Sequence, residues 1–372
     1  MTDGVARSSV GWRVGPAGLN AVIGESNEMI RTWVFEFFPE LAEPSGTTSD
    51  QATPSYFQDY LSLWERAEAL GYEGIFFSEH HFGSSFSASP NLLIAATAAR
   101  TRTLRLGVMG VVLPYYTPAR VIEEIGLLDQ LSGGRLEIGT AVGVPQELTK
   151  VNLSMDEARA IYNECIEIMD AALETGIAHH DGKHFKYDNL RLLPRPAQKP
   201  YPPKWSTVVS ADSARRAARR KSKVCTGFNS TDEVKQLFDA YLAEAQAAGL
   251  NAGGDHLGLR RRVIVAETES EADEKSQSAL ERYKNFVASD PRLKFSHVPD
   301  APRQGGGFTV SDDEFISGTP DQVAERIIDQ CRRTGAHHFL SVLHWGAGLD
   351  EVRSAHELFG GKVIPVLKRA KL

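Results

Sequence analysis

Cysteine is scarce in this sequence, and its scarcity excludes two kinds of structural site. The 372 residues include three cysteines, Cys165, Cys225 and Cys331, which are far apart and form no C-x-x-C pair. A disulfide framework or a zinc site built on such pairs is therefore not expected, and no metal is predicted. A few isolated cysteines are typical of a reducing compartment, so we expect a cytoplasmic protein.

Long apolar runs and an excess of basic residues are missing as well. No stretch approaches the roughly 18 consecutive apolar residues of a membrane span. Arg13, Pro16 and several glycines interrupt the region where a signal peptide would need a continuous apolar segment. The formal net charge is −7. Because nucleic acids and anionic membranes attract basic surfaces, neither is expected as a partner.

Short apolar segments, rich in Val, Ile, Leu and Phe, recur along the chain with helical patterns between them. Most are continuous rather than alternating, which is typical of parallel strands covered on both faces. The predicted strands are Trp33–Phe37, Gly74–Ser78, Leu104–Leu113, Arg135–Thr140, Lys204–Ser210, Val224–Thr226, Leu259–Glu267 and His338–Leu343.

This alternation predicts βα units and an α/β fold with a parallel sheet. Eight units favour a closed (β/α)8 TIM barrel, and an open doubly wound sheet is the structural alternative. We expect residues 1–31 to form an extension and residues 32–372 to form one barrel domain with insertions. Residues 176–203 and 288–318 do not fit the minimal repeat, so we predict a small excursion and a long loop there.

Active sites of such barrels lie at the carboxyl ends of the strands, and strand 2 ends in Ser78-Glu79-His80-His81-Phe82. Neighbouring residues of an extended segment point in opposite directions, so one of the two histidines is expected to face the barrel mouth. An imidazole there can accept or donate a proton near neutral pH. The alternative is a histidine that only bonds to its own loop.

Three other strands have features of a ligand site. Gly110, inside the predicted third strand, indicates either a close backbone approach or tight barrel packing. The small residues around Ala141 after strand 4 leave room for a ligand or again serve packing. Ser210, Ala211 and Ser213 open a helix after strand 5, where free N–H groups can bind a phosphate. The alternative at this last position is a simple helix cap. The residues alone do not identify a reaction.

Several linked passages resemble those of the bacterial luciferase-like, flavin-dependent monooxygenases. The resemblance extends from about Thr32 to the carboxyl terminus, and the family fold is a (β/α)8 barrel with insertions. The order and spacing of the passages make the combination specific. They are Ser78–Phe82, Gly107–Pro114, Pro118–Arg120, Leu128–Arg135, Leu190–Pro196 and Gly318–Pro320.

The resemblance implies a reaction and a set of partners. The expected cofactor is FMN, used as FMNH2 and delivered by a separate NAD(P)H-dependent flavin reductase. With O2 it would form a C4a-peroxyflavin that oxygenates a small organic substrate. Members of the family often form dimers or larger homo-oligomers, so a homo-oligomer is expected here.

The resemblance also assigns roles to individual residues. His80 matches the family's catalytic histidine, with His81 beside it as a second candidate. The flavin-contacting cis peptide falls at Met109-Gly110, and Ala141 lies at the next strand end of the flavin site. Ser210, Ala211, Ser213 and Arg159 fall where the phosphate is held. Phe228 falls where luciferases place an aromatic residue near the flavin ring.

Two departures limit the resemblance to the luciferases themselves. Ala141 and Val142 stand where bacterial luciferase has cysteine and arginine, and Val209 stands where it has a glutamate. These differences argue against light emission. Two alternatives stay open: a deazaflavin (F420)-dependent oxidoreductase on the same barrel, and a flavin-binding subunit without activity.

Overall fold

Parallel strands alternate with helices through the described part of the chain. The structure is a computed structural model that describes residues 29–39, 41–42, 48–49, 53–83, 85–227, 229–289, 311, 313–343 and 348–372. The barrel strands, numbered in chain order, are β1 (Arg31–Glu36), β2 (Gly74–Phe77), β3 (Arg105–Val108), β4 (Leu136–Ala141), β5 (Lys204–Thr207), β6 (Lys223–Thr226), β7 (Leu257–Val265) and β8 (His338–Val342).

The helices lie between these strands and after the last one. They are α1 (Pro54–Ala69), α2 (Pro90–Arg100), α3 (Pro118–Ser132), α4 (Pro145–Leu148), α5 (Met155–Thr175), α6 (Ala211–Arg219), α7 (Thr231–Ala247), α8 (Glu269–Ser289), α9 (Pro320–Thr334), α10 (Leu349–Leu358) and α11 (Ile364–Leu367). Short 3-10 turns lie at Leu113–Tyr115, Thr149–Val151 and Gly254–His256.

The strand register closes the sheet into a ring. In this numbering each barrel strand pairs in parallel with the next, and β7 pairs with β8 although the strand Phe315–Gly318 lies between them in the chain. Lys204 of β5 pairs with Ile138 of β4, and Arg31 of β1 pairs with His338 of β8. Because these two pairings leave the ring without an edge, the fold is a (β/α)8 barrel and not an open doubly wound sheet. The predicted fold is confirmed.

Most of the barrel strands bury both faces, because successive side chains point alternately into the barrel and toward the helices. This double burial explains why the strands read as continuous apolar runs. The outer faces join the helices in the largest core cluster, to which Ile75 and Leu259 belong. The barrel interior is a second cluster made of Trp33, Phe35, Phe76, Met109, Trp205, Cys225, Leu340 and Val342.

Three details differ from the sequence prediction. The predicted strand Leu104–Leu113 ends at Val108, continues after Gly110 as the two-residue strand Val111–Val112, and then forms a 3-10 turn. The excursion at 176–203 contains an antiparallel hairpin, Ile177–Asp181 with Lys186–Arg191. The region 288–318 is not a loop throughout, since Phe315–Gly318 pairs in parallel with β7. A four-residue strand in a long irregular stretch gives too little periodicity to be recognised.

The described residues include the three cysteines, the helices and the possible metal ligands. The three cysteines are buried and unbonded, and burial raises the pKa of each thiol to about 12. No described helix has the length and apolarity needed to cross a membrane. The same residues contain no group of three or more His, Cys, Asp or Glu arranged to hold a metal ion. The extension at 1–31 lies almost wholly outside the described residues, so the domain boundary stays a prediction.

Candidate active site

The barrel interior is sealed toward its amino end by large aromatic side chains. The rings of Trp33 and Phe76 lie 4.8 Å apart between centroids, and those of Phe76 and Trp205 lie 5.3 Å apart. Both tryptophans are 1% exposed. Phe35 and Phe37 continue the row from Trp33 along β1 and past its end, with their rings 5.1 Å apart. Within the described residues, these rings close the amino end and leave the mouth at the carboxyl ends as the route to the interior.

His80 lies at this mouth with one ring nitrogen bonded and the other available. Its ring stacks on Phe37, with centroids 5.8 Å apart and an interplanar angle of 14°. Nδ1 lies 2.9 Å from Oε1 of Glu147. No described residue bonds to Nε2, and the side chain is 35% exposed. With Glu147 as the acceptor of the Nδ1–H, a neutral His80 ring carries its lone pair on Nε2, where it can accept a proton from a ligand.

Glu147 is a site residue that the sequence did not reveal. It lies in α4, directly after β4, and its contact with His80 spans 67 residues of sequence. Its Oε2 atom is buried without a hydrogen-bond partner among the described residues, and so is the hydroxyl of Tyr115. Its only signal in the sequence is its place in a loop that follows a strand at the mouth, the face where barrel sites form.

Tyr115 and Tyr116 are donors at the rim of the mouth. Burial, followed by the charges of Glu147 and Glu79, raises the pKa of Tyr115 to about 12. Burial also raises the pKa of Tyr116, which donates its hydroxyl proton to Oε1 of Glu79 at 3.1 Å. Both phenols therefore stay protonated at neutral pH.

His81 points away from His80 into a network around the buried Glu79. Its Nε2 lies 2.8 Å from Oε1 of Glu79, and Oε2 of that carboxylate accepts the N–H of Val112 at 3.1 Å. The two adjacent histidines therefore face different surroundings, as expected of an extended segment. The Glu79 network joins the end of β2 to the segment after β3 and fixes the backbone that carries His80.

Beside His80, the carboxyl ends of β3 and β4 approach each other closely. The Met109-Gly110 peptide is cis, as the resemblance implied. A Cβ atom on Gly110 would lie 2.6 Å from backbone atoms of Thr140, so only glycine fits there. Ala141 follows Thr140 and is partly exposed. A flat ligand could therefore lie on this side of the mouth against backbone and small side chains.

The amino terminus of α6 follows β5, the strand next to β4 in the ring. Thr140 of β4 pairs with Ser206 of β5, four residues before Ser210. Ser210 and Ser213 form a reciprocal cap: the Ser210 hydroxyl accepts the Ser213 N–H at 3.2 Å, and the Ser213 hydroxyl accepts the Ser210 N–H at 3.0 Å. No described residue accepts from the N–H of Ala211, the first helical residue, so this donor is available to an anion.

Two predicted flavin contacts remain, Arg159 and Phe228. Arg159 is exposed on α5, one turn before Tyr162, whose hydroxyl lies 3.1 Å from the hydroxyl of Thr140. Arg159 is therefore near the carboxyl end of β4, although within the described residues it bonds to neither serine of the α6 cap. Phe228 lies outside the described residues.

Comparison with known proteins identifies the family. The family model for luciferase-like monooxygenase matches residues 40–338. The chain belongs to the luciferase-like monooxygenase family. This membership confirms the expected class of enzyme, a flavin-dependent monooxygenase.

Two curated relatives illustrate the range of similarity. An uncharacterized protein of Sinorhizobium fredii, y4wF, is 32% identical over 84% of this chain and 90% of its own length. The oxygenase component of the flavin-dependent trigonelline monooxygenase of Acinetobacter baylyi is 25% identical over 87% of this chain and 94% of its own.

Solved structures agree on the fold. Monooxygenase RslO1 from Streptomyces bottropensis superposes with a TM-score of 0.77 at 25% identity and covers 90% of this chain and 99% of its own. The oxygenating constituent of 3,6-diketocamphane monooxygenase from Pseudomonas putida, in complex with FMN, gives 0.74 at 22% identity over 91% and 98%. An F420-dependent secondary alcohol dehydrogenase gives 0.70 at 17% identity over 91% and 99%.

Proposed function

We propose that this chain is an FMNH2-dependent monooxygenase that inserts an oxygen atom from O2 into a small organic substrate. A separate NAD(P)H-dependent flavin reductase would supply the reduced flavin. The observation that carries the proposal is that the available Nε2 atom of His80, the Met109-Gly110 peptide and the α6 amino terminus all follow strand ends at the same mouth of the barrel.

The printed descriptions of two similar proteins support the cofactor and the partner. One relative is the oxygenase component of a flavin-dependent monooxygenase, a description that implies a second component. The diketocamphane enzyme, which shares the fold, was solved with FMN. Because an F420 enzyme also shares the fold, the choice between the two cofactors needs a direct test.

The residues at the mouth fit FMN. Met109, Gly110 and Ala141 would contact the ring system with backbone and small side chains. The N–H of Ala211, the hydroxyls of Ser210 and Ser213, and Arg159 would hold the phosphate. When bound in its reduced form, the flavin supplies the electrons that activate O2.

The chain itself positions these groups and handles the proton. Glu147 accepts the Nδ1–H of His80 and so leaves Nε2 as an acid–base atom facing the mouth. His81 acts through Glu79 as a positioning residue. The buried rings of Trp33, Phe76 and Trp205 keep water from entering through the amino end.

A binding comparison tests the cofactor assignment. Ser210→Ala combined with Ser213→Ala should weaken FMN binding by about tenfold or more, because charge-assisted hydrogen bonds are strong. Riboflavin, which lacks the phosphate, should be affected far less. Titration calorimetry with FMN, riboflavin and a deazaflavin measures this for both proteins.

The possible outcomes distinguish the phosphate site, the cofactor and the inactive-subunit alternative. Equal weakening of FMN and riboflavin would place the phosphate elsewhere. Tighter binding of the deazaflavin than of reduced FMN would favour the F420-dependent alternative. Turnover of the isolated chain with a reductase, NADH and oxygen excludes the inactive-subunit alternative.

We also propose a cytoplasmic homo-oligomer, at least a homodimer. Leu92 of α2 is 70% exposed, and Leu127 and Leu131 of α3 are 49% and 60% exposed. Exposed leucines on two helices that pack against each other are compatible with a protein–protein contact. Light scattering of the wild-type protein and of a Leu131→Glu variant checks this, since a monomeric wild type would contradict it.

A further inference from the structure

The α4 segment, residues 145–151, consists of α4 and the 3-10 turn after it, and a buried leucine anchors it at the mouth. Leu148 is 0% exposed. A Cβ atom on Gly143 would lie 3.3 Å from Cδ2 of Leu148 and 2.9 Å from Cγ1 of Val112, so both side chains pack against this glycine. The segment therefore has a fixed base beside the backbone that follows the cis peptide.

Two side chains of the α4 segment contact the turn that follows β2. Oε1 of Glu147 lies 2.9 Å from Nδ1 of His80. The ammonium of Lys150 donates a hydrogen bond to the backbone carbonyl of Phe82. Residues three apart along a helical turn lie on the same side of it, which explains why both side chains reach the same turn. The turn is therefore held at two points, a side chain and the backbone two residues later.

The backbone of Phe82 has a conformation that its own side chain does not favour. Its φ is 60°, in the left-handed region, which residues with a Cβ atom other than Asn and Asp seldom adopt. The side chain is 54% exposed, so burial of the ring contributes little to holding this conformation. Such a conformation persists where the surroundings enforce it. The bond from Lys150 fixes the carbonyl of this residue and so supplies a constraint of that kind.

Lys150 directs its charge at a neutral acceptor and not at a carboxylate. Among the described residues, the Phe82 carbonyl is the hydrogen-bond partner of its ammonium, and no Asp or Glu forms an ion pair with it. A charged donor makes a stronger hydrogen bond than a neutral one. Because Lys150 is exposed and pairs with no described acid, its contact with the turn is the interaction through which it can act on the site.

We infer that Lys150 is a positioning residue for His80. It holds Phe82 in the left-handed conformation, fixes the course of the turn two residues after His80, and so keeps Nδ1 within reach of Glu147. This inference rests on the proposed function, because it takes His80 as the acid–base residue of the site.

Loss of the Lys150 bond should displace His80, because the two contact points are close in the chain. Without the bond, Phe82 can return to a negative φ, and the neighbouring backbone shifts with it. A hydrogen bond weakens steeply as its distance and angle depart from the optimum, so the contact between His80 and Glu147 should loosen. The ring would then lose its fixed tautomer and its orientation.

The tautomer of the His80 ring tests the inference directly. The FMN-loaded protein is labelled with the heavy nitrogen isotope in its histidine rings, and the ring-nitrogen spectrum is recorded in mildly alkaline buffer, where an imidazole is ordinarily neutral. The loss of signals in His80→Ala identifies this ring. We expect the wild type to carry the proton on Nδ1. Lys150→Met keeps the length but not the donor and should give a mixture of tautomers, whereas Lys150→Arg should keep the single form.

The oxygen reaction supplies a second readout. Lys150→Met should move the rate at which bound reduced FMN reoxidises toward that of His80→Ala, by about tenfold, because small displacements of a catalytic group have large effects. Lys235→Met is the matched control, since Lys235 is an exposed lysine of α7 that pairs with Asp239. It should change neither readout. An unchanged His80 tautomer in folded Lys150→Met would overturn the inference, and so would equal changes in the methionine and arginine variants.

A second substitution tests the route through Phe82. Asn occupies the left-handed region at a lower cost than Phe, so Phe82→Asn should need less support from Lys150. In the Phe82→Asn background, Lys150→Met should therefore change the His80 tautomer less than it does in the wild type. An equal change in both backgrounds would overturn the claim that Lys150 acts by holding this backbone.

The tautomer is measured without turnover, so the two claims can fail independently. A protein whose His80 tautomer ignores Lys150 but which stabilises reduced FMN against oxygen keeps the proposed function and loses this role of Lys150. A protein whose tautomer depends on Lys150 but which has no effect on the oxygen reaction keeps the positioning contact and loses the monooxygenase function.

Discussion

The two ends of the barrel each hold a histidine at a strand end, and the two have opposite properties. At the amino end, Nδ1 of His338 accepts the indole N–H of Trp33 at 2.9 Å, and Nε2 donates to the carbonyl of Asp255 at 3.1 Å. Burial lowers the pKa of His338 well below its usual range. At the carboxyl end, His80 bonds through Nδ1 alone among the described residues and is partly exposed to solvent.

The carboxylates at the two ends repeat this contrast. Glu137, in the interior near the amino end, accepts from the indole of Trp205 at 2.7 Å and from Arg105 at 2.5 Å. Glu147 at the mouth binds His80 through one oxygen, and its other oxygen has no hydrogen-bond partner among the described residues. Polar groups whose hydrogen bonds are complete stabilise one structure, whereas unused ones leave capacity for a ligand. The chemistry is therefore expected where the hydrogen bonding is incomplete.

Removing the mouth histidine should have the largest effect on activity. His80→Ala should keep the fold and FMN binding but lower product formation by about 100-fold or more, because the acid–base atom is lost. Activity is measured with reduced FMN, oxygen and substrate. His179→Ala, on the exposed hairpin, is the control. Unchanged turnover in the His80 variant would remove this residue from the mechanism.

A methyl group added at the mouth should lower the free energy of unfolding more than one added at the amino end. Gly110→Ala would place Cβ 2.6 Å from the backbone of Thr140, while Gly253, before β7, has no atom within 4 Å of the same position. Overpacking of this kind typically costs about 1–3 kcal/mol. Denaturant unfolding of the two variants compares their free energies of unfolding. Equal stability would show that the close approach of β3 and β4 is not rigid.

Glu147 should matter through its hydrogen bond to His80. Glu147→Ala removes the acceptor and should lower turnover by about tenfold, because the imidazole loses its fixed tautomer and orientation. Glu147→Gln can still accept the Nδ1–H and should retain more activity than the alanine variant. Both should bind reduced FMN as the wild type does. Identical turnover of the two variants would show that this hydrogen bond does not orient His80.

His338, at the amino end, should change how the free energy of unfolding depends on pH and should leave activity unchanged. Its folded pKa is depressed, so the unfolded chain binds more protons as the pH falls below about 6.5, and folding loses stability there. The contribution can approach about 1.4 kcal/mol per pH unit below that value. His338→Gln should flatten this part of the stability profile, measured as the free energy of unfolding between pH 5 and 8. A profile as steep as that of the wild type would contradict a neutral His338.

Much of the fold could be predicted because strands buried on both faces leave continuous apolar runs. The eight barrel strands lie within a few residues of their predicted positions at most ends. Strand 3 is wrong beyond Val108, since the apolar run extends through the cis peptide and into a 3-10 turn. The strand Phe315–Gly318 was missed because its pairing with β7 is long-range and its own pattern is short.

The site was predictable where a motif carries it and not where tertiary contacts create it. His80 and Ser210 lie at strand ends that the sequence marks, and Gly110 is a glycine inside the predicted third strand. The Glu147 contact joins two loops across 67 residues. It leaves no local pattern, because spacing within one element does not determine which elements meet.

The measurement that tests the central claim most directly is the reaction of protein-bound reduced FMN with oxygen. The protein is titrated with photoreduced FMN without oxygen and then mixed rapidly with oxygenated buffer while the flavin spectrum is followed. The account predicts tight binding of reduced FMN and a transient spectrum that free FMN does not give, lost or shortened in His80→Ala. Weak binding, with reoxidation identical to that of free FMN, would contradict the proposal that this mouth is a flavin monooxygenase site.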